Sequence, residues 1–364
     1  MRLLCDRQEL TDAFSVVAGI APQKSPKPVL HHVKLHADRD GLTLFATDLQ
    51  MSARVRCEAV KVDAEGVVLL PARETLALLR ELSDPTLTLK ANDNRCTVES
   101  GGGSFILLGG DPDEFPTAAA PESGKTLRLP AARMADMMRK TAFAATREES
   151  RYAVSGILWD CQQGCLRLVA TDGRRLSLNY ENLPSDELRV RAIQPLASVN
   201  AVLRVIGEEK DGEVAVLFGE NQMAFTFGST VLVSRTLDQT FPEYESVVPK
   251  VAETTVEVSR SLFESNLRKV SVLTGGDVRQ VRFAFSATTL EMSAENSTVG
   301  RADVAIDVEV KGAGCNVAFN PDFVLDALRA SDSEVVRIDL TDESTPAKFT
   351  LGESFTYVLM PISG

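Results

Sequence analysis

Residues 41–48 read Gly-Leu-Thr-Leu-Phe-Ala-Thr-Asp, and residues 165–172 read Cys-Leu-Arg-Leu-Val-Ala-Thr-Asp. A weaker copy, Thr-Leu-Glu-Met-Ser-Ala-Glu-Asn, occupies residues 289–296. The closing residues Asp48, Asp172 and Asn296 are evenly spaced, since 172 − 48 = 124 and 296 − 172 = 124. A fixed long period indicates one structural unit copied along the chain. Apolar and polar side chains alternate in each copy, which predicts a strand with one buried face.

The repeat extends beyond these strands into predicted helices. Pro71, Pro195 and Pro321 each open an amphipathic stretch, with spacings of 195 − 71 = 124 and 321 − 195 = 126. Proline suits the first turn of a helix, because its missing N–H would be unpaired there. Earlier helix-like segments lie near residues 7–18, 131–144 and 259–273. The fold class is therefore α+β, with several antiparallel strands and two helices in each repeat.

The period divides the 364 residues into three tandem domains at turn-rich or polar segments. The predicted domains are 1–122 (N-terminal), 123–252 (central) and 253–364 (C-terminal). Each is large enough for its own core. Antiparallel sheets of successive domains can join edge to edge, which would cover strand edges that otherwise invite aggregation. A symmetric dimer that closes a ring is one way to leave no edge exposed.

Composition limits the class of protein. The net charge of −12 argues against simple electrostatic coating of nucleic acid. Two segments, residues 131–147 and 259–273, are nevertheless locally basic, although charge alone favours a solvated helix face as the explanation of each. No apolar run approaches the roughly 20 residues that span a bilayer, and no signal peptide is recognisable, so we expect a cytoplasmic protein. The six cysteines are expected to be reduced and mostly packed.

The sequence offers no catalytic or metal-binding pattern, and we expect no cofactor. The three histidines, His31, His32 and His36, are close together in a strand-like segment, which separates such residues rather than gathering them. The glycines at 101–103 and 109–110 do not open a helix, so they indicate turns rather than a phosphate-binding loop. We therefore predict no catalytic residues and no metal ligands.

Two segments stand out from the repeat. Residues 170–176, Ala-Thr-Asp-Gly-Arg-Arg-Leu, form a strand end and a tight turn that presents two arginines and a leucine. Residues 357–362, Tyr-Val-Leu-Met-Pro-Ile, are apolar almost to the chain end, where polar sequences are usual. A plain hairpin turn and a final strand explain them structurally. A groove for a partner's peptide is the functional alternative.

These residues resemble the bacterial DNA polymerase III β subunit family, the sliding clamps. The matching motifs are Thr47-Asp48-Leu49, Pro71-Ala72-Arg73, Arg151-Tyr152, Ala170–Leu176, Phe241-Pro242-x-Tyr244 and the terminal Tyr357-Val-x-Met-Pro361. The resemblance implies a non-catalytic homodimer that forms a six-domain ring, with helices inside and sheets outside, around double-stranded DNA of any sequence. It implies a processivity factor that tethers the replicative polymerase and is located in the cytoplasm in association with the nucleoid. Implied partners are the DNA polymerase III catalytic subunit, the clamp loader, other polymerases and mismatch-repair proteins, with no membrane contact.

The resemblance also implies two sets of functional residues. The partner-peptide pocket would comprise Val154, Thr171, Gly173, Arg174, Arg175, Leu176, Pro242, Val247, Asn320, Phe323, Val358, Met360, Pro361 and Ile362. The DNA-facing residues would be Lys24, Arg73, Arg133, Arg139, Lys140, Arg147 and Arg268. Three features depart from the family pattern: Arg174 replaces a frequent histidine, Phe323 a common tyrosine, and Ser363-Gly364 the usual Arg-Leu ending.

The implied dimer contact joins the first domain of one copy to the third domain of the other. Phe105 and Leu107 would face Val272 and Leu273. Around them, Glu74 replaces a frequent lysine and Arg301 lies in a segment that is often acidic. We therefore expect the rim ion pairs to have reversed sign, which would mainly set partner specificity.

Two other classes of protein are compatible with parts of the sequence. An interaction scaffold that does not encircle DNA explains the repeat and the missing chemistry, but not the motifs at 171–176 and 360–361 occurring together. An enzyme would need a site that the sequence does not reveal. A purified activity lost on one point mutation would support it.

Overall fold

The computed structural model describes residues 1–146, 154–207, 211–275 and 279–362. Within these ranges each repeat contributes two α-helices, as the periodicity predicted. The helices are α1 (Arg7–Ala18), α2 (Ala72–Glu81), α3 (Ala131–Ala142), α4 (Leu196–Ile206), α5 (Arg260–Ser271) and α6 (Pro321–Ala330). Pro321 occupies the first turn of α6, as expected. Pro71 instead precedes α2 as its N-cap, because its extended backbone also ends the preceding strand.

The chain divides into two compact units that do not coincide with the three repeats. The first unit comprises Met1–Ala135 and Ala197–Leu237, and the second comprises Asp136–Leu196 and Asp238–Gly364. The middle repeat is therefore shared between the units. A cut at any repeat boundary of the sequence would pass through a unit rather than between units.

The first unit contains two antiparallel sheets. The five-stranded sheet has the order β5 (Val60–Ala64), β1 (Arg2–Asp6), β7 (Thr86–Asn92), β8 (Arg95–Ser100) and β9 (Gly103–Leu108). The eight-stranded sheet has the order β10 (Lys125–Pro130), β15 (Glu213–Phe218), β16 (Gln222–Phe227), β17 (Thr230–Arg235), β4 (Met51–Cys57), β3 (Gly41–Thr47), β2 (His32–Asp38) and β6 (Gly66–Pro71). Strand β9 lies at an edge of its sheet.

The second unit also contains two antiparallel sheets. The nine-stranded sheet has the order β14 (Val190–Pro195), β11 (Gly156–Gln162), β12 (Cys165–Thr171), β13 (Arg175–Asn182), β26 (Phe355–Leu359), β25 (Ala347–Thr350), β24 (Val335–Leu340), β18 (Thr254–Ser259) and β22 (Glu309–Gly312). The four-stranded sheet has the order β21 (Gly300–Asp307), β20 (Thr289–Asn296), β19 (Val281–Phe285) and β23 (Cys315–Phe319). Strand β21 lies at an edge.

Successive repeats are joined through their sheets, as the sequence predicted. The last strand of the second repeat, β17, pairs with β4 of the first, for example Thr230 with Val55. The last strand of the third repeat, β26, pairs with β13 of the second, for example Phe355 with Asn179. The two receiving residues, Val55 and Asn179, occupy equivalent positions of successive repeats, because 179 − 55 = 124 is the repeat period. The same pairing of strands therefore occurs at both junctions.

A chain of aromatic rings runs through the core of the second unit. The ring centroids of Phe263 and Phe283 are 6.1 Å apart, and those of Phe283 and Phe319 are 5.6 Å apart. Phe349 follows at 6.0 Å from Phe319, and Tyr357 at 5.9 Å from Phe349. Such pairs contribute about 0.5–1.5 kcal/mol each beyond the burial of their area. The last ring of this series, Tyr357, belongs to strand β26, so the aromatic contacts attach that strand to the core.

The cysteines are free thiols, and five of the six are buried. Burial raises the pKa of Cys5 and of Cys57 to about 12 and that of Cys96 to about 11. Since the thiolate is the reactive form, these groups behave as small apolar core residues. This confirms the expectation that most of the thiols are packed.

Candidate functional site

The hairpin between β12 and β13 is held by its own side chains. The Thr171 hydroxyl donates to the carbonyl oxygen of Arg175 at 2.7 Å and accepts from the N–H of Gly173 at 3.1 Å. The Asp172 carboxylate accepts from the N–H groups of Arg174 and Arg175, both at 3.0 Å. Gly173 has φ +83°, which favours glycine. The turn is therefore rigid and leaves Arg174 exposed.

The first repeat builds the same turn at its own Thr-Asp pair. Thr47 donates to the carbonyl oxygen of Met51 at 2.7 Å, and Asp48 accepts from the N–H of Met51 at 2.7 Å. The Thr-Asp motif is thus a structural device of the repeat. What distinguishes the second repeat is the residue that follows the turn, which is Arg175 instead of Met51.

Arg175 is the best-connected side chain at this site. Its guanidinium donates to the carboxylates of Asp172 at 2.9 Å and Asp326 at 2.8 Å, and to the carbonyl oxygen of Phe143 at 2.8 Å. Its guanidinium carbon lies 4.3 Å from the ring centroid of Phe323 and 5.6 Å from that of Phe143. Its side chain is only 10% exposed. Arg175 therefore ties together the hairpin, helix α6 and the segment after α3.

The electrostatics agree with this connecting role. Burial disfavours the guanidinium charge, but neighbouring Tyr357, Asp326 and Asp172 outweigh that effect and raise the pKa of Arg175. The planar fork of arginine can serve two carboxylates and a carbonyl at once, which an ammonium cannot do with the same geometry. The positive charge of Arg175 is thus neutralised by carboxylates of its own chain.

The chain end runs alongside this hairpin. In the β13–β26 register Arg175 faces Leu359 and Leu176 faces Val358. Beyond β26, the N–H of Met360 donates to the carbonyl oxygen of Arg174 at 2.9 Å. The Tyr357 hydroxyl donates to the carbonyl oxygen of Phe323 at 2.9 Å. The two unusual segments of the sequence are therefore neighbours in the fold.

Further contacts fix the last described residues. The N–H of Ile362 donates to the carbonyl oxygen of Ala318 at 2.8 Å, which attaches the chain end to β23. The Met360 side chain is 45% exposed, and Pro361 is half-buried. Exposed apolar groups next to exposed Arg174 suit a short peptide with apolar anchors.

The contacts bring together most of the residues predicted to form the pocket. These are Thr171, Gly173, Arg174, Arg175, Leu176, Phe323, Val358, Met360, Pro361 and Ile362. Asn320 caps α6 by accepting from the N–H of Asp322 at 2.9 Å. Val154 is buried just before β11. Half-buried Pro242 and exposed Val247 flank a 3-10 turn, Tyr244–Ser246, whose Tyr244 hydroxyl donates to Asp160 at 2.8 Å.

The residues predicted to face DNA differ in their surroundings. Lys24, Arg73 and Arg139 are exposed, whereas Arg133 is half-buried. Arg268 is 55% exposed and pairs with Glu264. Lys140 is only 14% exposed, with its ammonium 2.8 Å from Asp136 and 3.1 Å from Asp332. Its charge is already neutralised, so Lys140 is the weakest candidate of the set. Arg147 lies outside the described residues.

The residues predicted for a dimer contact are placed at strand and helix ends. Phe105 is 38% exposed and Leu107 half-buried on the edge strand β9. Val272 is 74% exposed and Leu273 half-buried just after α5. Glu74 is exposed in the first turn of α2. Arg301, on the edge strand β21, donates twice to the Asp303 carboxylate at 2.7 Å.

Sequence reasoning missed two residues that organise the site. Asp326 and Phe143 hold Arg175 from positions 151 and 32 residues away along the chain. Nothing local marks either residue, because an acid on a helix face and an apolar residue at a helix end are common. In the described part of the chain, no group of three or more His, Cys, Asp and Glu side chains could hold a metal ion. Nor is any described helix long and apolar enough to cross a membrane.

Three family models match consecutive parts of the chain. The DNA polymerase III beta subunit N-terminal domain matches residues 1–119, the central domain residues 128–243, and the C-terminal domain residues 245–363. Together they span almost the whole sequence in the order that the family uses.

Individual relatives match over their full lengths. The beta sliding clamp of Chlamydia muridarum is 31% identical over 364 residues, which covers 100% of this chain and 99% of that protein. A sliding clamp from Pseudomonas aeruginosa, solved bound to griselimycin, superposes with a TM-score of 0.95 at 26% identity and 100% coverage of both chains. The DNA polymerase sliding clamp from Bacillus subtilis shares the fold with a TM-score of 0.96 at 23% identity, covering 100% of this chain and 99% of that one.

Proposed function

We infer that this chain, which belongs to the bacterial DNA polymerase III beta subunit family, works as a DNA sliding clamp. It is a non-catalytic processivity factor of replication. Two copies form a ring around duplex DNA and tether the replicative polymerase to it. Tethering by topology requires only weak, sequence-independent contacts, which reconciles the net charge of −12 with a role on DNA.

The pairing rule of the sheets supports closure by a second copy. The last strands of repeats two and three, β17 and β26, pair with β4 and β13 of the preceding repeats. The last strand of repeat one is β9, and the counterpart of β4 and β13 in repeat three is β21. Both lie at sheet edges within the chain. Continuing the rule pairs β9 of one copy with β21 of another, so two copies close a cycle.

Side-chain exposure agrees with this proposed interface. Residues 105–108 of β9 are four consecutive apolar residues, with Ile106 57% and Leu108 67% exposed. A long apolar edge strand aggregates unless it is covered. Phe105 and Leu107 would pack against Val272 and Leu273 of the second copy, with Glu74 and Arg301 at the rim.

The rim charges yield a prediction about pairing specificity. If Glu74 and Arg301 reverse the usual polarity, mixing this chain with a family member that has lysine and an acid at these positions should give few mixed dimers. Arg301 already binds Asp303 in its own chain. The substitution Glu74→Lys should therefore raise the fraction of mixed dimers more than a substitution of Arg301 does. Native mass spectrometry of the mixture measures it, and ready formation of mixed dimers would contradict the reversal.

For partners, we propose the pocket composed of all fourteen residues predicted from the sequence, including Val154, Pro242, Val247 and Asn320. The observation that supports it is the meeting of the Thr171–Leu176 hairpin with Met360–Ile362. Polymerases, the clamp loader and mismatch-repair proteins would each insert a short motif with apolar anchors. Apolar walls would bind the anchors while Arg174 and backbone groups fix orientation.

We further propose that exposed Lys24, Arg73 and Arg139 lead the contact with DNA, with Arg133, Lys140, Arg147 and Arg268 in support. The domain boundaries remain those of the sequence, at 122/123 and 252/253. A cytoplasmic protein that encircles chromosomal DNA would be found with the nucleoid. Fluorescence imaging of the tagged chain in dividing cells tests that location.

The pocket can be tested with a fluorescent Gln-Leu-x-Leu-Phe peptide. We expect saturable binding to the full chain and its loss in a truncation that ends at Leu359, because the truncation removes the Met360 backbone contact and the exposed apolar end. Fluorescence anisotropy measures the dissociation constant of each. The single substitution Val251→Asp, at a residue that is 74% exposed and outside the pocket, controls for nonspecific surface effects.

The experiment distinguishes a wrong location of the pocket from a changed preference for the peptide motif. If the truncated chain unfolds at the same temperature as the full chain but binds the peptide equally well, the pocket does not involve Met360–Ile362. If the folded full chain does not bind at all, the departures at Arg174 and Phe323 have changed the motif it accepts. A dimer that stays on a closed circular plasmid and slides off its linear form would still support the clamp.

A further inference from the structure

A basic groove lies on one face of the eight-stranded sheet, entirely within the first unit. It encloses about 550 Å³. Its charged lining residues are the cations Lys34, Arg54 and Arg56 and the carboxylate Glu58, and His36 lies beside them. In a chain with a net charge of −12, this local excess of cations is unexpected. The clamp function described above does not use this face.

The strand register explains how the groove is built. Lys34 of β2 faces Phe45 of β3, Phe45 faces Arg54 of β4, and Arg54 faces Val231 of β17. Adjacent strands are about 4.8 Å apart, so these four side chains form one row across the sheet. The row alternates a cation, an aromatic ring, a cation and an apolar side chain.

A second row lies two residues further along the strands. His36 faces Thr43, and Thr43 faces Arg56. Two residues of a strand span about 6.8 Å, and their side chains project from the same face. An extended peptide advances by the same distance between alternate side chains. The two rows therefore match the spacing of acidic residues at alternate positions of an extended peptide.

The cations of the first row retain unsatisfied charge. The Arg54 side chain is exposed, and its guanidinium carbon lies 5.8 Å from the Phe45 ring centroid. The Lys34 ammonium donates to the carbonyl oxygen of Pro112 at 3.2 Å. Neither is within ion-pair distance of a carboxylate anywhere in the described ranges. Arg56 is 4.0 Å from the Asp40 carboxylate, a weak exposed pair.

The floor and one wall of the groove are fixed by packing. Buried Phe115 meets Phe45 edge-on, with ring centroids 5.9 Å apart. This contact anchors the following segment, residues 116–118, which lines the groove. The ring of Phe45 is half-buried and central between Lys34 and Arg54. The groove is thus preformed, which lowers the entropic cost of binding.

We propose that this groove binds an extended acidic peptide segment of a protein partner. Carboxylates at alternate positions would lie over the Lys34–Arg54 row and over Arg56, with the methylene groups of these acidic side chains against Phe45 and Val231. A peptide is favoured over nucleic acid because a long polyanion would also meet the repulsive field of a chain with net charge −12. A short segment places only a few negative charges, all of them inside the basic groove.

The test uses a fluorescein-labelled peptide, Glu-Leu-Glu-Leu-Glu-Asp, with the full chain. The matched peptide Gln-Leu-Gln-Leu-Gln-Asn has the same shape without the charges. We expect saturable binding of the acidic peptide that weakens as salt rises and falls at least tenfold with Arg54→Glu. Arg39→Glu makes the same charge change at a 93% exposed site outside the groove and should leave binding nearly unchanged.

A second variant tests whether the fold is intact, and the outcomes below would overturn the acidic-peptide proposal. Arg54→Gln, which removes the charge without adding one, should weaken binding by an intermediate amount, with an unfolding temperature equal to that of the unmodified chain. Equal binding of the two peptides, no saturable binding, or equal loss in Arg39→Glu would overturn the proposal. So would tighter binding of a ten-residue oligothymidylate that displaces the peptide, since the groove would then be a nucleic-acid site. None of these outcomes depends on the clamp function.

Discussion

Replacement of Arg175 by Met is expected to lower the unfolding temperature by about 10 °C and to weaken binding of the Gln-Leu-x-Leu-Phe peptide at least tenfold. The side chain is 10% exposed and satisfies Asp172, Asp326 and the Phe143 carbonyl. Removing one partner of a buried ion pair costs about 3–5 kcal/mol, because the remaining charges are left unpaired. The second unit, Asp136–Leu196 and Asp238–Gly364, falls in the range of roughly 150–250 residues for which each kcal/mol shifts the unfolding temperature by about 2–4 °C. Differential scanning calorimetry and fluorescence anisotropy measure the two effects.

The neighbouring arginine provides the control. Arg174→Met makes the same chemical change one residue earlier, at an exposed side chain, and should leave the unfolding temperature nearly unchanged. Arg175→Lys should recover only part of the stability, because an ammonium cannot reproduce the forked contacts. If Arg175→Met and Arg174→Met proved equally stable, the contacts of Arg175 would not hold the site together.

Substitution of Phe105 by Asp is expected to raise the dissociation constant of the dimer at least about a thousandfold, which corresponds to about 4 kcal/mol. Phe105 is 38% exposed in the single chain, so the monomer should tolerate the change. In the proposed dimer the same position would bury an unpaired carboxylate against apolar Val272 and Leu273, which is strongly unfavourable. Sedimentation equilibrium measures dimerisation, and retention on a nicked circular plasmid measures the consequence for the ring.

A change of the same kind elsewhere should have no such effect. Val251→Asp introduces a carboxylate at a residue that is 74% exposed and outside β9. It should remain dimeric and should be retained on the plasmid. A Phe105→Asp variant that dimerised as tightly as Val251→Asp would exclude β9 as the contact strand.

Much of this fold follows from local patterns in the sequence. The helix-like segments near 7–18, 131–144 and 259–273 located the first helix of each repeat, and a proline at or just before the first residue located the second. These features depend on neighbours along the chain, so periodicity reveals them. The pairing of β26 with β13 depends on residues far apart, and the sequence predicted only that some edges would join.

In the candidate site too, contacts between neighbours along the chain were predictable and contacts between distant residues were not. The Thr171-Asp172-Gly173 turn was visible because its hydrogen bonds connect residues two to four positions apart. The buried contacts of the Arg175 guanidinium with α6 and the end of α3 were not visible, because they join residues far apart along the chain. The ion pair between Lys140 and Asp332 was not visible for the same reason, because Asp332 lies on a distant segment.

The insertion of β26 beside β13 has a consequence for biosynthesis. Strand β13 ends at Asn182 and its partner begins at Phe355, so 355 − 182 = 173 residues must be translated before the pair can form. At bacterial rates of roughly 5–20 residues per second, the β13 edge waits about 9–35 seconds on the ribosome. During that interval it can recruit the nascent chains of neighbouring ribosomes. A product whose translation terminates anywhere between these two strands therefore has an unprotected edge, and synthesis of β26 removes that hazard.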